Sequence, residues 1–378
     1  MYLIRRAKPD DLDILLRLAR TVHFINLPPD REIISEKISR SRASFQAAAA
    51  GEKPRVSGRA IGATKDSPQF MFVLADDEGD SCHGTSSIIA RMGAPGHPNL
   101  SFELRRREFF SKDLQTGTTH MTVRLHLDET GPSEIGGLVL APTLRKHPER
   151  LGKQLSLVRF HYIGLHPEQF SDHLIAEMMA PISSDGRSEF WEALGRRFIN
   201  LSYTEADRFS QHSREFMLSL LPREEIFVSL LPPEARHVIG QVGPETAPAR
   251  KMLEDIGFRH TGRIDPFDGG PHLECKTADI PMVRDTRRAE FAGVCPPAQA
   301  KKQGFVSVED DDGEFRAMLT VYCDADSGGV RLLKEAAEAL HAEPGTRLGI
   351  TPMGATSSAA SKGAETRKQD RNRSGAQV

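Results

Sequence analysis

Gly137-Leu138-Val139-Leu140-Ala141-Pro142-Thr143-Leu144-Arg145-Lys146-His147-Pro148-Glu149-Arg150-Leu151-Gly152-Lys153 is the segment on which the fold reading turns. An apolar strand over residues 135–140 stops at Ala141-Pro142. The chain then crosses Arg145, Lys146, Arg150, Gly152 and Lys153 and enters a helix whose apolar positions are Leu155, Val158, Phe160 and Ile163. A strand that runs through basic and glycine residues into a helix N-terminus suits a phosphate, because the free N–H groups and the dipole of the first turn both favour an anion. Taken alone, the segment also reads as an ordinary strand-to-helix connection with solvated cations.

Working outward, residues 2–7 read as a short strand. The following helix is expected to be capped by Asp10, with Asp13 in its first turn and Leu12, Leu15, Leu16 and Ala19 on one apolar face. Residues 47–67 lose periodicity in Ala, Gly, Lys, Pro and Ser and read as a mobile loop. Residues 70–74 and 84–90 form a hairpin around an acidic turn at 76–80, and 91–99 is a loop. Residues 119–127 alternate Met121, Val123, Leu125 and Leu127 inward. Beyond the central segment come a strand at 173–178 and a helix at 189–198 carrying Phe190, Trp191, Leu194 and Phe198. A strand at 226–231 and helices at 233–241 and 248–256 follow, the last closed by Gly257-Phe258. A tight turn occupies 266–271. Past Ile280 the pattern shifts to short strands such as 317–323 and 348–350, and from Ala355 apolar content disappears. The division expected is a body over 1–279, a small β-rich domain over 280–352 and a disordered tail over 353–378.

Composition removes several function classes. Lys+Arg 50 against Asp+Glu 52 leaves a net charge of −2, so no bulk basic charge points to nucleic acid. A mean hydropathy of −0.41 and the lack of a long apolar run argue against a membrane span. The opening MYLIRRAKPDDLD carries no apolar core of signal-peptide type, which points to the cytoplasm. Four scattered cysteines, Cys82, Cys275, Cys295 and Cys323, form neither a disulfide framework nor a zinc motif, and no metal is expected. HExxH, GxSxG, P-loop and dinucleotide fingerprints do not occur.

Thr246-x-x-Ala249-x-x-x-Leu253-x-x-x-Gly257-Phe258-x-x-x-Gly262 is a helix closed by Gly-Phe, with a weaker echo at Ser188–Phe198. With the opening strand, the hairpin and the glycine-bearing loop, the region 246–262 resembles the GNAT acyl-CoA N-acyltransferase superfamily. A closer ordered series runs through Ala176-Glu177-Met178, Phe190-Trp191-Glu192-Ala193-Leu194-Gly195, Glu205-Ala206-Asp207 and Val238-Ile239-Gly240-Gln241-Val242. It continues through Thr246-Ala247-Pro248-Ala249-Arg250, Gly257-Phe258-Arg259 and Ile264-Asp265-Pro266-Phe267-Asp268-Gly269-Gly270-Pro271 to Leu273-Glu274-Cys275. This series is similar to the arginine N-succinyltransferase family, strongly over 176–275 and weakly over 1–164. The fold implied is α+β: a GNAT-like mixed, largely antiparallel sheet flanked by helices, with a small C-terminal β-rich, barrel-like domain.

The resemblance implies transfer of succinyl from succinyl-CoA, a co-substrate and not a tightly bound cofactor, to the α-amino group of L-arginine. The neutral amine would attack the thioester directly, with no covalent enzyme intermediate. By similarity the succinyl-CoA contact falls on Leu138. Arg145, Arg150, Gly152 and Lys153 are candidate phosphate contacts, although the family's Arg-x-x-Gly-x-Gly is replaced here by a longer loop. The family's proton-donor histidine falls on Gly243, which carries no proton donor. For proton handling the residues themselves offer Glu177, whose burial would raise its pKa. His237, His260 and His272 read more simply as packing or surface histidines. Asp265, Asp268 and Glu274 can recognise a guanidinium through charge-assisted pairs, and Asp268 is also a turn former. A weakened or non-catalytic subunit, or an acyltransferase with another donor or acceptor, are the competing readings. A homo-oligomer or a hetero-oligomer with a related subunit is expected, with neither nucleic acid nor membrane as partner.

Overall fold

The computed structural model describes residues 1–20, 27–53, 67–76, 81–326 and 328–354. The expected acidic turn at 77–80, most of the expected loop at 54–66 and the tail from Ala355 lie outside the described residues. Strand β1 (Tyr2–Arg6) sits mid-sheet and is fully covered from Leu3 onward. Its Arg5 points inward and is met by Asp11 in a two-pronged pair, Nη1–Oδ2 2.8 Å and Nη2–Oδ1 2.7 Å. Asp10 does not cap the following helix as expected. Pro9 pre-sets a 3₁₀ turn over Pro9–Asp11, and the inward Asp11 carboxylate accepts the Lys8 N–H instead. Helix α1 (Leu12–Ala19) follows and buries Leu15, Leu16, Leu18 and Ala19.

Helix α2 (Arg31–Ala49) was not anticipated. Asp30 caps it, accepting from the Glu32 and Ile33 amides, and Ile33, Ile34, Ile38, Phe45 and Ala48 form its buried stripe. Residues 47–49 are therefore helical and not loop. The hydroxyls of Ser41 and Ser44 accept the amides of Met71 and Gln69, so α2 is seated on strand β2 (Gln69–Asp76). The hairpin of β2 with β3 (Gly84–Ile89) is as expected. The strand expected at 119–127 is β5 (Thr116–Asp128), and it forms a second, unanticipated hairpin with β4 (Asn99–Ser111). Val123 and Leu125 are buried under a helical layer, whereas Met121 and Leu127 are exposed because that layer covers only the middle of the strand.

Strand β6 (Ser133–Leu140), helix α3 (Leu151–Leu165) and strand β7 (His173–Glu177) form the central βαβ unit. The expected helix at 189–198 is two pieces, α4 (Glu189–Ala193) and α5 (Gly195–Ile199). Trp191 packs so closely on Gly195 that a Cβ there would lie 2.3 Å from the indole, and Phe198 ends up exposed. Helices α6 (Tyr203–Ser210), α7 (Glu215–Leu220) and α8 (Pro233–Val238) complete that layer. The expected strand at 226–231 contracts to β8 (Ile226–Phe227) followed by a 3₁₀ turn. Helix α9 (Ala247–Asp255) leads into β9 (Arg259–Ile264) and β10 (Pro271–Lys276).

After the short α10 (Pro281–Arg284) come β11 (Arg287–Val294), β12 (Lys302–Glu309), β13 (Phe315–Asp324) and β14 (Val330–Leu332). Helix α11 (Lys334–Leu340) and β15 (Arg347–Met353) finish the described chain. The order β12-β15-β11-β14-β13 closes on itself through β12–β13 pairing, a small five-stranded barrel among the described residues. Pairing of β1 with β13 joins this barrel to the rest of the sheet, β1-β2-β3-β6-β7-β10-β9-β4-β5-β8. Among the described residues, only β6–β7 and β11–β14 are parallel. The architecture is thus mixed α+β with a closed small barrel. No described helix is long and apolar enough to cross a membrane.

The Arg5–Asp11 pair gives a direct stability test. Asp11→Ala leaves a buried guanidinium unmatched and is expected to cost roughly 3–5 kcal/mol in urea unfolding. Asp13→Ala, which breaks an exposed pair with Arg31, is expected to cost less than about 1 kcal/mol.

Candidate active site

Strands β6 and β7 pair only at Ser133–Leu174 and Glu134–Ile175, and then part. The cause is visible in β6. Its register against β3 slips after Gly136, and Gly137 adopts a left-handed φ of +59°. A Cβ at Gly137 would sit 2.7 Å from Ser87 Oγ, so only glycine fits this bulge. Arg159, projecting from α3, donates through Nη1 to the Gly136 carbonyl at 3.2 Å and through Nε to the Ser156 carbonyl at 2.9 Å. A buried arginine thus props the bulge open, and a cavity occupies the gap between the strands.

That cavity holds about 150 Å³ and is lined by both strands, the Glu245–Leu253 stretch and the β9–β10 turn. Its apolar wall includes Leu138, Ala249 and Met252, and its buried acidic groups are Glu177, Asp265 and Asp268, with the exposed Glu245 at its rim. Burial raises the carboxyl of Glu177 above its ordinary range, against the pull of Arg214 and a hydrogen bond from Asn99. Burial and the neighbouring Glu177 push Asp265 up to about 6. Burial and Asp265 raise Asp268 as well. Half-buried Asp207, next to Asp265 and Lys37, is pushed up to about 7, again chiefly by burial. A set of carboxyl groups held this far from water is short of positive charge and suits a cationic ligand.

The cavity opens outward, sharing Leu138, Glu245, Ala249 and Met252 with a groove of about 1210 Å³. Arg145, Lys146, Arg150, Gly152 and Lys153 line that groove where α3 begins, with Lys251 and Arg259 on its far side. The Arg145, Arg150 and Lys153 side chains are exposed, and Arg145 lies 3.5 Å from Glu245 across the junction. Arg150 takes a left-handed φ of +52° as the residue before the first turn of α3. A groove rich in cations therefore adjoins, at the edge of β6, a cavity that holds the buried carboxyl groups.

Comparison with known proteins identifies the family. The family described as arginine N-succinyltransferase beta subunit matches residues 2–282. The chain belongs to the arginine N-succinyltransferase family. It is 32% identical over 360 residues to the arginine N-succinyltransferase of Escherichia fergusonii, covering 93% of this chain and 98% of that one. The corresponding protein of Citrobacter koseri is 32% identical over 358 residues with the same coverage. Among solved structures, the arginine/ornithine succinyltransferase subunit AI of Pseudomonas aeruginosa matches with a TM-score of 0.75 at 28% identity, over 94% of this chain and 99% of that chain. Membership makes the chain an N-acyltransferase of the succinyl-transferring class.

Within this family fold, the structure gathers most of the residues singled out from sequence. Leu138 lies at the junction, the four loop residues Arg145, Arg150, Gly152 and Lys153 line the groove, and Glu177, Asp265 and Asp268 line the inner cavity. Asp268 doubles as a turn former, accepting from the Ala180 and Gly270 amides. Glu274 is not among the lining residues. Its oxygens are taken by Thr261 and His173, with Arg263 3.5 Å away. Gly243 is fixed beside the cavity by its amide bond to the Met179 carbonyl, and a Cβ there would meet nothing nearer than 3.4 Å. Arg159, Asn99 and Arg214 escaped the sequence reading, and Thr246 entered it only as part of the family motif. Only Arg159, a charge inside an apolar helical stretch, carried a signal.

The β9–β10 turn supplies a backbone test. A Cβ on Gly270 would lie 1.9 Å from the Met178 carbonyl oxygen. Gly270→Ala is therefore expected to lose about 1–3 kcal/mol in chemical unfolding and to distort the acidic end of the cavity. Gly243→Ala, whose added Cβ would make only ordinary contacts with Ala180 and Thr246, is expected to change stability by less than about 1 kcal/mol.

Proposed function

We propose that the channel carries out the family's function, moving succinyl from succinyl-CoA to the α-amino group of L-arginine. The observation that carries this reading is the continuity of the cation-lined groove with the carboxylate-lined cavity at Leu138. The CoA phosphates lie against Arg145, Arg150, Lys153 and the first turn of α3, where N–H groups and dipole favour an anion. The pantetheine arm follows the edge of β6 that β7 leaves unpaired, which is the GNAT-type cleft, and the thioester reaches the gap. The acceptor enters with two cationic groups, its ammonium and its guanidinium, and Asp265 is the carboxylate we assign to it. Asp268 shapes the turn around it.

The chemistry needs no covalent enzyme intermediate. The acceptor ammonium first gives one proton to a carboxylate, and Glu177 is the group we assign to this step. The freed lone pair forms the N–C bond to the thioester carbonyl, and collapse breaks the C–S bond, leaving the electron pair on sulfur. The second N–H proton neutralises the departing thiolate, so one amide, one thiol and one released proton result. We read the chain as a subunit of a homo-oligomer or of a pair with a related subunit. The exposed Phe109, Phe110 and Leu114 at the tip of the β4–β5 hairpin support that reading. The four free cysteines suit the cytoplasm, where we place the reaction.

Turnover of purified protein with succinyl-CoA and arginine, followed by thiol release, tests the reading, with Gly243→His alongside. Turnover is expected with the wild-type chain. Turnover with acetyl-CoA alone would reassign the donor, and no turnover with either donor, from the wild-type chain and from Gly243→His alike, would overturn the reading.

The pH dependence of arginine binding follows from Asp265. Its folded carboxyl titrates near 6, and a cation selects the ionised form. Affinity measured by calorimetry is expected to rise as pH goes from about 5 to about 7, with proton release on binding that fades above pH 7. Asp265→Asn is expected to flatten this dependence and to weaken binding at pH 7.5.

A further inference from the structure

We propose that Glu177 and His272 form one proton-sharing unit at the end of the cavity, with Glu177 taking the acceptor's proton and His272 setting when it does so. The proposal rests on the acyl-transfer reading above and deepens it. Glu177 on β7 and His272 on β10 stand directly opposite in the antiparallel register, with their side chains on one face. Their facing atoms, Glu177 Oε1 and His272 Nε2, are 3.8 Å apart. Neither atom has a hydrogen-bond partner, although His272 is only 2% exposed. Two complementary buried groups left unpaired cost stability unless some state of the protein uses them. A small approach would close the gap to hydrogen-bond length, and such contacts are often loose without substrate.

The surroundings fix both groups. Asn99 of β4 bonds the Glu177 carboxylate and is itself held at 2.8 Å by Arg214, which precedes α7. Asp265, from the β9–β10 turn, brings a carboxylate oxygen within 4.8 Å of both atoms, while its Oδ1 accepts the Phe267 and Asp268 amides. Asp268 from the same turn, Arg263 of β9 and Glu274 of β10 complete the charged groups around the pair. Burial pushes the imidazole of His272 down to about 4 and the Glu177 carboxyl up. The imidazole is therefore neutral at working pH and offers its N–H to the carboxylate, favouring the ionised, proton-accepting form. Glu177 lines the cavity and meets the ammonium, whereas His272 acts through Glu177 and is a positioning residue. No histidine lines the cavity among the described residues, so this pair is the proton-handling unit the site offers.

The test is the pH–rate profile of kcat/KM for the full chain with succinyl-CoA and arginine, comparing wild type, His272→Leu, His272→Gln and Gly243→His, with Tm followed for each. The His272→Leu change removes the donor, so the acid limb is expected to move upward by about one pH unit. The rate at pH 7 should fall roughly 10-fold while both KM values stay within about threefold. The His272→Gln variant, which keeps a donor, should lie between the two. An unmoved limb in His272→Leu overturns the proposal, whether the rate is intact or falls only in step with Tm. A wild type that turns over only after Gly243→His overturns it too, while arginine succinylation stands. Silence from both of those chains, each binding neither substrate, overturns the acyl-transfer reading and this pair with it.

Discussion

Everything in the site depends on two neighbouring parallel strands that stop pairing. Parallel strands in a sheet interior ordinarily continue their ladder, because unpaired backbone groups away from water are costly. Here the bulge at Gly137 turns β6 away, and the guanidinium of Arg159 takes over the Gly136 carbonyl that a ladder would otherwise satisfy. Burial lowers the Arg159 pKa to about 9, with Glu134 opposing the shift, so the side chain keeps its proton at neutral pH. A charged donor inside the sheet is thus exchanged for a gap between strands, and the channel runs through that gap.

Charge along the two pockets follows burial. Arg145, Lys146, Arg150, Lys153, Lys251 and Arg259 outnumber Glu245, Asp255, Asp279 and Asp285 along the groove, where water and salt screen them and where they cost little when empty. Carboxylates line the inner cavity, where burial lifts Asp265 and Asp207 toward neutrality. Both groups bind protons in the folded chain that they would release when unfolded near pH 5–6. Their contribution to stability therefore favours the fold at acid pH and declines as pH rises through about 6–7. A bound cationic group reverses that decline locally, so the acidic end couples ligand capture to relief of its own unfavourable burial.

The central βαβ segment was legible because its signals are local: a β-run broken by proline, a basic loop and a helix with apolar spacing. The family series over 176–275 was legible for the same reason, since its motifs sit at turns and helix ends that tolerate few residues. Helix α2 was overlooked even though Asp30 and the Ile33, Ile34, Ile38 spacing announce it. The alanine-rich end at residues 47–49 blurs into the polar stretch that follows. The β4–β5 hairpin was read only in part because much of it is exposed and lacks an apolar alternation. The buried network around the inner cavity could not be read in advance as a unit. It joins Asn99, Glu177, Arg214, Asp265 and His272 across segments far apart in sequence, and the pKa shifts of Glu177, Asp265 and His272 arise chiefly from burial and not from neighbours in the chain.

The C-terminal barrel acquires a purpose from the same geometry. Helix α3 carries the cation loop at its start and Arg159 in its middle, so its position sets both ends of the channel. One side of α3 packs on β3 and β6. The other side is tied to the barrel through buried polar links: His161 Nδ1 to Thr351 at 2.6 Å and His161 Nε2 to Ser307 at 2.7 Å. His166 reaches Glu309 at 2.6 Å, and Arg288 donates to the Leu165 carbonyl at 3.0 Å. Burial holds the His161 imidazole down at about 3, so it serves as a neutral bridge between two hydroxyls. Apolar contacts alone would let a helix slide along its groove, since dispersion has little direction. Hydrogen bonds of fixed length at two faces of one turn oppose that sliding. The barrel closes its own edges through β12–β13 pairing and is a rigid support. Through β1 and β13 it is continuous with the sheet that α3 covers. The helix that positions Arg159 is thus held between two parts of one hydrogen-bonded surface, and the gap it props open keeps its width.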